Sequence, residues 1–243
     1  MPDYRAPATG PRIIVALDYA NAEAALACAA RLSPTLCRLK VGMELYTAAG
    51  RHLVEELIDQ GFDIFLDLKY HDIPTTVAKA CDAAARLGVW MLNVHTLGGP
   101  SMLQAARAAV DAAPRQPLLL GVTLLTSHTS ADLLDIGLSK DVHGQVEHLA
   151  GLACAAGLDG VVCSAQEAQG LRTKFGAKCV LVTPGIRPAG SPSDDQQRIL
   201  DPLNALKQGS DYLVIGRPVT QASDPQRMVQ EIQRSIENFR PLS

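Results

Sequence analysis

Short apolar runs alternate along the chain with longer segments of mixed character. The runs cover residues 13–17, 36–41, 63–68, 90–94, 118–124, 160–163, 179–182 and 212–215. Several are continuous rather than alternating, the pattern of strands covered on both faces. Between them, 44–60, 75–87, 145–156 and 196–208 read as helices. Gly61, Gly88, Gly157, Gly176 and Gly209 fall just past helix ends, where a left-handed cap favours glycine. Strand–helix units recurring at roughly 30 residues have the size of βαβ units. Eight of them fit a single closed (β/α)8 TIM barrel. The competing arrangement is a doubly wound open sheet, which usually brings a G-x-G-x-x-G turn after its first strand. Here the first strand runs into Asp18-Tyr19-Ala20-Asn21, without glycine. Segments 125–141 and 186–195 read as irregular loops that follow strands, at the end where a barrel keeps its catalytic loops. Pro188, Gly190, Ser191 and Pro192 mark the second as a lid.

Composition narrows the class. With 47% hydrophobic and 19% charged residues, the 243-residue chain can fill one large core. The formal net charge of −3 offers no basic excess for a nucleic-acid polymer. Six cysteines include no C-x-x-C pair, and most read as buried thiols, which suits a reducing compartment. Residues 1–11 form a polar, proline-bearing tail without the apolar core of a signal peptide, and 12–243 form the barrel domain. No apolar run approaches the roughly 18 residues of a membrane span. The expectation is a cytoplasmic protein with no membrane partner.

The C-terminal ends of barrel strands face one common bowl. The polar residues there are Asp18, Lys40, Asp67, Lys69, His71, Asp72, Asn93, His95, Thr123, Thr126, Ser127, Thr183, Arg187, Gly216 and Arg217. Taken alone, Asp18 reads as a helix N-cap. His95 reads as a satisfied polar residue, and Met43, Met91 and Met102 read as core fillers. The grouping says more. Lys40, Asp67 and Lys69 lie in or beside strongly apolar strands, and buried charge is costly unless paired. A charge-paired plug of the barrel mouth would explain them structurally. Asp67 and Lys69 are two apart, so both side chains face the bowl while Leu68 faces the helices. Flanking carboxylates favour the charged form of Lys69. A held cation suits a reaction that develops negative carbon and then needs a proton. The loops after the seventh and eighth strands carry Gly185-Ile186-Arg187 and Gly216-Arg217, and barrels often bind phosphate there. His71, Asp67, Asp72 and His95 could be metal ligands, but Lys40 and Lys69 would repel a cation among them, so no metal is expected.

These segments resemble the orotidine 5′-phosphate decarboxylase family. The resemblance is carried by Ala16-Leu17-Asp18, Leu39-Lys40-Val41-Gly42, Asp67-Leu68-Lys69-Tyr70-His71-Asp72-Ile73-Pro74, Asn93-Val94-His95, Thr183-Pro184-Gly185-Ile186-Arg187 and Ile215-Gly216-Arg217-Pro218, in family order over nearly the whole chain. It implies cofactor-free decarboxylation of orotidine 5′-monophosphate to uridine 5′-monophosphate. Lys69 would be the proton donor to C6, and Asp67 would lie by the departing carboxylate. Lys40 would contact the ribose, and Asp18 a ribose hydroxyl. Asp72, Ile73 and Thr76 would reach into the site of a partner subunit in a homodimer with shared active sites. Thr126 and Ser127 would meet the ribose and the pyrimidine edge. Arg187, Gln196, Gly216 and Arg217 would hold the phosphate, Gln196 on the resemblance alone. Position 70 is Tyr where the family often has Phe.

Three rivals remain at this level. A magnesium-dependent decarboxylase or aldol enzyme of phosphorylated sugars shares Asp-x-Lys-x-x-Asp but typically ends its second strand in a carboxylate, where this chain has Lys40. A catalytically silent nucleotide-binding barrel has no reason to keep Lys40, Asp67 and Lys69 together. A phosphate-binding isomerase barrel calls for a catalytic Glu at a strand end, which is not evident.

Overall fold

The eight apolar runs become eight strands in a computed structural model that describes residues 10–138, 141–188 and 200–237. They are β1 (Ile13–Leu17), β2 (Arg38–Gly42), β3 (Ile64–Tyr70), β4 (Met91–His95), β5 (Leu118–Val122), β6 (Gly160–Val162), β7 (Val180–Thr183) and β8 (Tyr212–Ile215). Each pairs in parallel with its sequence neighbours, and β1 pairs with β8 through Ile13↔Leu213, Ile14↔Val214 and Val15↔Ile215. The barrel is closed in the order of the chain. The open-sheet alternative is thereby removed.

Helices cover the outside. They are α1 (Ala22–Ala29), α2 (Met43–Asp59), α3 (Pro74–Leu87), α4 (Gly99–Asp111), α5 (Ser130–Asp135), α6 (Val142–Ala155), α7 (Ala168–Phe175), α8 (Pro202–Lys207), α9 (Arg217–Thr220) and α10 (Pro225–Ile236). Their ends follow local chemistry. Asn21, Thr129, Asp141, Asp201 and Asp224 each accept a backbone N–H of the first turn. Proline begins α3, whose C-terminus closes on Gly88 at φ +89°.

Strand periodicity sorts the side chains into two shells. Ile13, Val15, Leu17, Leu39, Val41, Ile64, Leu66, Leu92 and Val94 pack outward against the helices. Ile14, Ala16, Phe65, Met91, Leu120, Val180, Val182, Tyr212 and Val214 fill the interior. Read toward the C-terminal end, the inner series of β1 continues Ile14, Ala16, Asp18. That of β3 continues Phe65, Asp67, and that of β4 Met91, Asn93. The strand alternation that buries the core thus delivers polar groups to the bowl.

The opposite end is sealed by arginine–aspartate pairs. Arg38 sits 4.1 Å from the Trp90 ring centroid and pairs with Asp63 at 3.0 Å. The Asp159 carboxylate meets Arg107 at 2.9 Å and accepts the Leu119 N–H at 2.7 Å. Asp211 repeats the device, with Arg172 at 2.6 Å and the Leu181 N–H at 2.8 Å. Asp159 and Asp211 each tie the entry of a neighbouring strand to a helix, whereas Asp63 ties to β2 itself.

The structure differs from the sequence reading in four places. The helix expected over 44–60 bends at Gly50 (φ +67°, ψ −162°), a combination open to glycine. Segment 125–141 contains α5, opened by a reciprocal Thr129–Asp132 capping box that the loop reading overlooked. The helix expected over 196–208 is α8, which starts only after Asp201. Met91 and Met102 are core residues, but Met43 is 56% exposed. Residues 1–9 of the expected tail, 189–195 of the expected lid, and Gln196 lie outside the described residues.

Candidate active site

β1, β2 and β3 lie side by side, so their inner strand-end residues form a row across the bowl. Lys40 Nζ donates to Asp18 Oδ1 at 3.1 Å and lies 3.4 Å from Asp67 Oδ2. Lys69 Nζ donates to Asp67 Oδ1 at 2.7 Å. The result is an alternating chain Asp18–Lys40–Asp67–Lys69 that runs inward from a largely exposed carboxylate. Lys40 and Asp67 are buried, and each is offset by its neighbours. Burial alone would lower the Lys40 pKa, but the carboxylates of Asp67 and Asp18 outweigh it and raise the group. Burial likewise pushes Asp67 up, yet Lys40, Lys69 and hydrogen bonds from Lys69 and Asn93 bring it below its ordinary value. Gly42 leaves room for this row, since a Cβ there would lie 3.0 Å from Lys40 Nζ. Asp18 is not a helix cap; Asn21 does that work.

Asn93 was among the strand-end polar residues, but nothing in its sequence context gave it a role. It is fully buried. Its Nδ2 donates to Asp67 Oδ1 at 2.7 Å, and its Oδ1 accepts the Lys69 backbone N–H at 2.8 Å. Lys69 is the one non-glycine residue with positive φ among the described residues, at +50°. The β3–β4 pairing shifts register between Leu66 and Tyr70 at the same place. Such an irregularity re-aims a side chain at a strand end.

Two cavities border the charge chain. One of about 200 Å³ is lined by Asp18, Lys40, Asp67 and Lys69, with Gly42 and Met43 at its side. The other, of about 470 Å³, extends from Asp18, Lys40 and Asp67 to Gly185, Arg187, Gly216 and Arg217. The two Gly–Arg segments therefore share a cavity with the charged row, as their strand-end positions foretold. Gly185 has φ +79°, and Gly216 is the N-cap of α9. Arg187 is 8% exposed and its backbone N–H is tied to Leu200 O at 3.0 Å.

Other expected residues are placed differently. Asp72, Ile73 and Thr76 are exposed around the start of α3 and line neither cavity. Asp72 Oδ1 accepts the Ile73 N–H at 2.6 Å, and among the described residues it makes no ion pair with Lys69. Thr126 and Ser127 lie on the loop before α5 and also line neither cavity. Thr123 and Thr183 are structural. Their hydroxyls donate to Val162 O at 3.2 Å and to Ser210 Oγ at 3.1 Å. His95 stacks on His71 with ring centroids 5.4 Å apart. Burial, then the charges of His71, His128 and Lys69, hold its pKa down at about 4.

The arrangement presents lysines and arginines around a cavity of nucleotide size, with one buried carboxylate held among them. Comparison with known proteins agrees with that chemistry. Residues 11–232 match the model of the "Orotidine 5′-phosphate decarboxylase / HUMPS family". The orotidine 5′-phosphate decarboxylase of Nitrosospira multiformis is 56% identical over 233 residues, covering 96% of this chain and 97% of its own. That of Halorhodospira halophila is 59% identical over 215 residues, covering 88% and 91%. The crystal structure of orotidine 5′-phosphate decarboxylase from Lactobacillus acidophilus superposes with a TM-score of 0.84 at 39% identity, covering 95% of this chain and all of that one. With its barrel, its charged row and nearly its full length matched, the chain belongs to the orotidine 5′-phosphate decarboxylase / HUMPS family.

Proposed function

We propose that this protein converts orotidine 5′-monophosphate to uridine 5′-monophosphate and carbon dioxide, in pyrimidine nucleotide synthesis, without a cofactor. The observation that carries the reading is the Asp18–Lys40–Asp67–Lys69 chain opening onto the cavity that holds Arg187 and Arg217. The phosphate binds Arg187, Gly216 and Arg217, joined by Gln196, through forked guanidinium contacts and backbone N–H groups. Asp18 and Lys40 take the ribose. The C6 carboxylate then lies beside Asp67. The C6–carboxylate bond breaks, its electron pair stays on C6, and carbon dioxide leaves. The Lys69 ammonium stabilises the carbanion and transfers a proton to C6. Asp67, kept ionised by its two lysines, holds that ammonium at the reacting carbon. Energy from phosphate binding, far from the breaking bond, can favour the transition state at the reacting carbon.

The same reading makes the enzyme a homodimer in the cytoplasm, its free thiols suiting a reducing compartment. Asp72, Ile73 and Thr76 line neither cavity of their own subunit, and Ile73 is 63% exposed. They reach the partner's ligand, while Thr126 and Ser127 meet the ribose and pyrimidine edge when the ligand is bound. Lys40 sets this reading apart from the magnesium-dependent sugar-phosphate enzymes. It places positive charge where those enzymes supply a carboxylate.

The test is the loss of orotidine 5′-monophosphate absorbance in cofactor-free buffer containing EDTA. Sustained turnover is expected. Turnover abolished by EDTA and restored by magnesium would favour the sugar-phosphate reading, and an inert protein would sink both.

A further inference from the structure

We propose that Asn93 is a positioning residue for the decarboxylation, locking the Lys69 backbone and the Asp67 carboxylate into one fixed relative geometry. The inference rests on the reading above that Lys69 is the proton donor. Asn93, Asp67 and Lys69 close a ring of three hydrogen bonds. The Lys69 backbone N–H donates to Asn93 Oδ1, Asn93 Nδ2 donates to Asp67 Oδ1, and Lys69 Nζ donates to the same oxygen. The partners fix which way the amide points. A flipped amide would set its oxygen against the carboxylate and its NH₂ against an N–H.

The ring matters because of where Lys69 sits. A non-glycine residue at positive φ is strained and persists only where its surroundings over-determine it. The register shift between Leu66 and Tyr70 interrupts the ladder that would otherwise occupy the Lys69 N–H. Asn93 supplies the replacement acceptor from the adjacent strand. Its other end restrains Asp67 Oδ1, the oxygen that holds the reacting ammonium. One side chain therefore sets both the root and the tip of the lysine. Asn93 does not touch the reacting carbon; it acts through Lys69 and Asp67.

The experiment uses Asn93→Ala and Asn93→Asp in the full chain, with wild type alongside. Asn93→Ala is expected to lower kcat roughly 100-fold, the scale of a 1 Å misplacement of reacting groups. The affinity for uridine 5′-monophosphate should change little. Asn93→Asp is the more decisive variant. Ionised, it sets a second carboxylate against Asp67. Protonated, it both accepts and donates like the amide it replaces. Its kcat relative to wild type should therefore rise as the pH falls from 8 to 5, because adjacent carboxylates share a proton at raised pKa. A residue that merely fills space would give a flat ratio. The proposal fails if that ratio is flat, or if Asn93→Ala folds and keeps kcat within about threefold. Should Asn93→Ala not fold, the near-isosteric Asp variant still decides. Amide hydrogen exchange at Lys69 separates this inference from the functional one. If wild type does not act on orotidine 5′-monophosphate, the functional reading fails. Faster Lys69 exchange in Asn93→Ala, which removes the acceptor, would still show the hydrogen bond, and unchanged exchange in that variant would refute it.

Discussion

The two ends of the barrel bury charge in opposite ways. At the N-terminal floor Asp159 and Asp211 each hold an arginine and accept a backbone N–H. Arg172 is saturated, donating to Asp211 at 2.6 Å, to Gly209 O at 2.7 Å, to Gly176 O at 2.7 Å and to Cys179 O at 3.0 Å. At the C-terminal mouth one buried carboxylate, Asp67, serves two lysines, and both lysines border open volume. Electrostatics follows the difference. Burial dominates at Asp211 and raises its pKa despite Arg172. At Asp67 the paired lysines overcome burial and lower it. Floor charges hold strands in register, whereas the charge-balanced row at the mouth faces open volume that also borders Arg187 and Arg217. Aspartate paired with a cation occurs at both ends, and what separates them is that the floor pairs are closed off by backbone partners while the mouth row borders open cavities.

The sharpest break of this contrast removes Lys69. Lys69→Ala should lower kcat at least about 10⁴-fold, because stabilisation of the carbanion and proton delivery are lost together. Thermal stability should hold, with product affinity near wild type. Appreciable residual decarboxylation would remove Lys69 from the donor role. Next in size is subunit complementation. Lys69→Ala and Asp72→Ala, each inactive alone, should recover up to about a quarter of wild-type activity when mixed, since a hybrid symmetric dimer keeps one intact site. Verified hybrids without activity would refute the shared site.

At the floor the expected effect is on stability alone. Arg172→Ala strands the buried Asp211 carboxylate and should cost about 3–5 kcal/mol, a fall in Tm of roughly 10 °C for a chain of this size. The kcat of the folded fraction should be unchanged. A loss of activity at unchanged Tm would invert the assignment of the two ends. The smallest effect is the titration of His95. Its folded pKa, about 4, lies below the ordinary histidine value of about 6.5. The unfolded chain then takes up the extra proton more readily, so stability falls as pH drops from about 6.5 to about 4. His95→Gln should flatten that slope in urea titrations at pH 7 and pH 5. Proton NMR should show the His95 ring titrating near 4. A midpoint near 6.5 would mean that the His71–His95 stack stays open to water.

Much of the site was legible because barrel architecture turns a one-dimensional rule into a location. Asp18, Lys40, Asp67, Arg187 and Arg217 are strand-end residues by count, and all five border the larger cavity. The same rule overreached at Thr123 and Thr183, where a hydroxyl has a backbone carbonyl or a serine within reach and settles there. It understated Met43, which follows β2 directly and lies exposed beside the smaller cavity. Asn93 was visible as a strand-end amide, but its part depends on where the Lys69 N–H points, and no local pattern encodes that.

The sequence by itself determined the eight strands and the charged residues at their C-terminal ends, because apolar runs and the polar positions that close them are local features of the chain. Only the tertiary structure decided that Lys40 bridges Asp18 and Asp67, that Lys69 adopts positive φ, and that Asn93 spans from its backbone to Asp67. Those facts rest on contacts between residues some 22 to 27 positions apart. Distances of that kind exist only once the barrel has closed and fixed the stagger of β1 to β4.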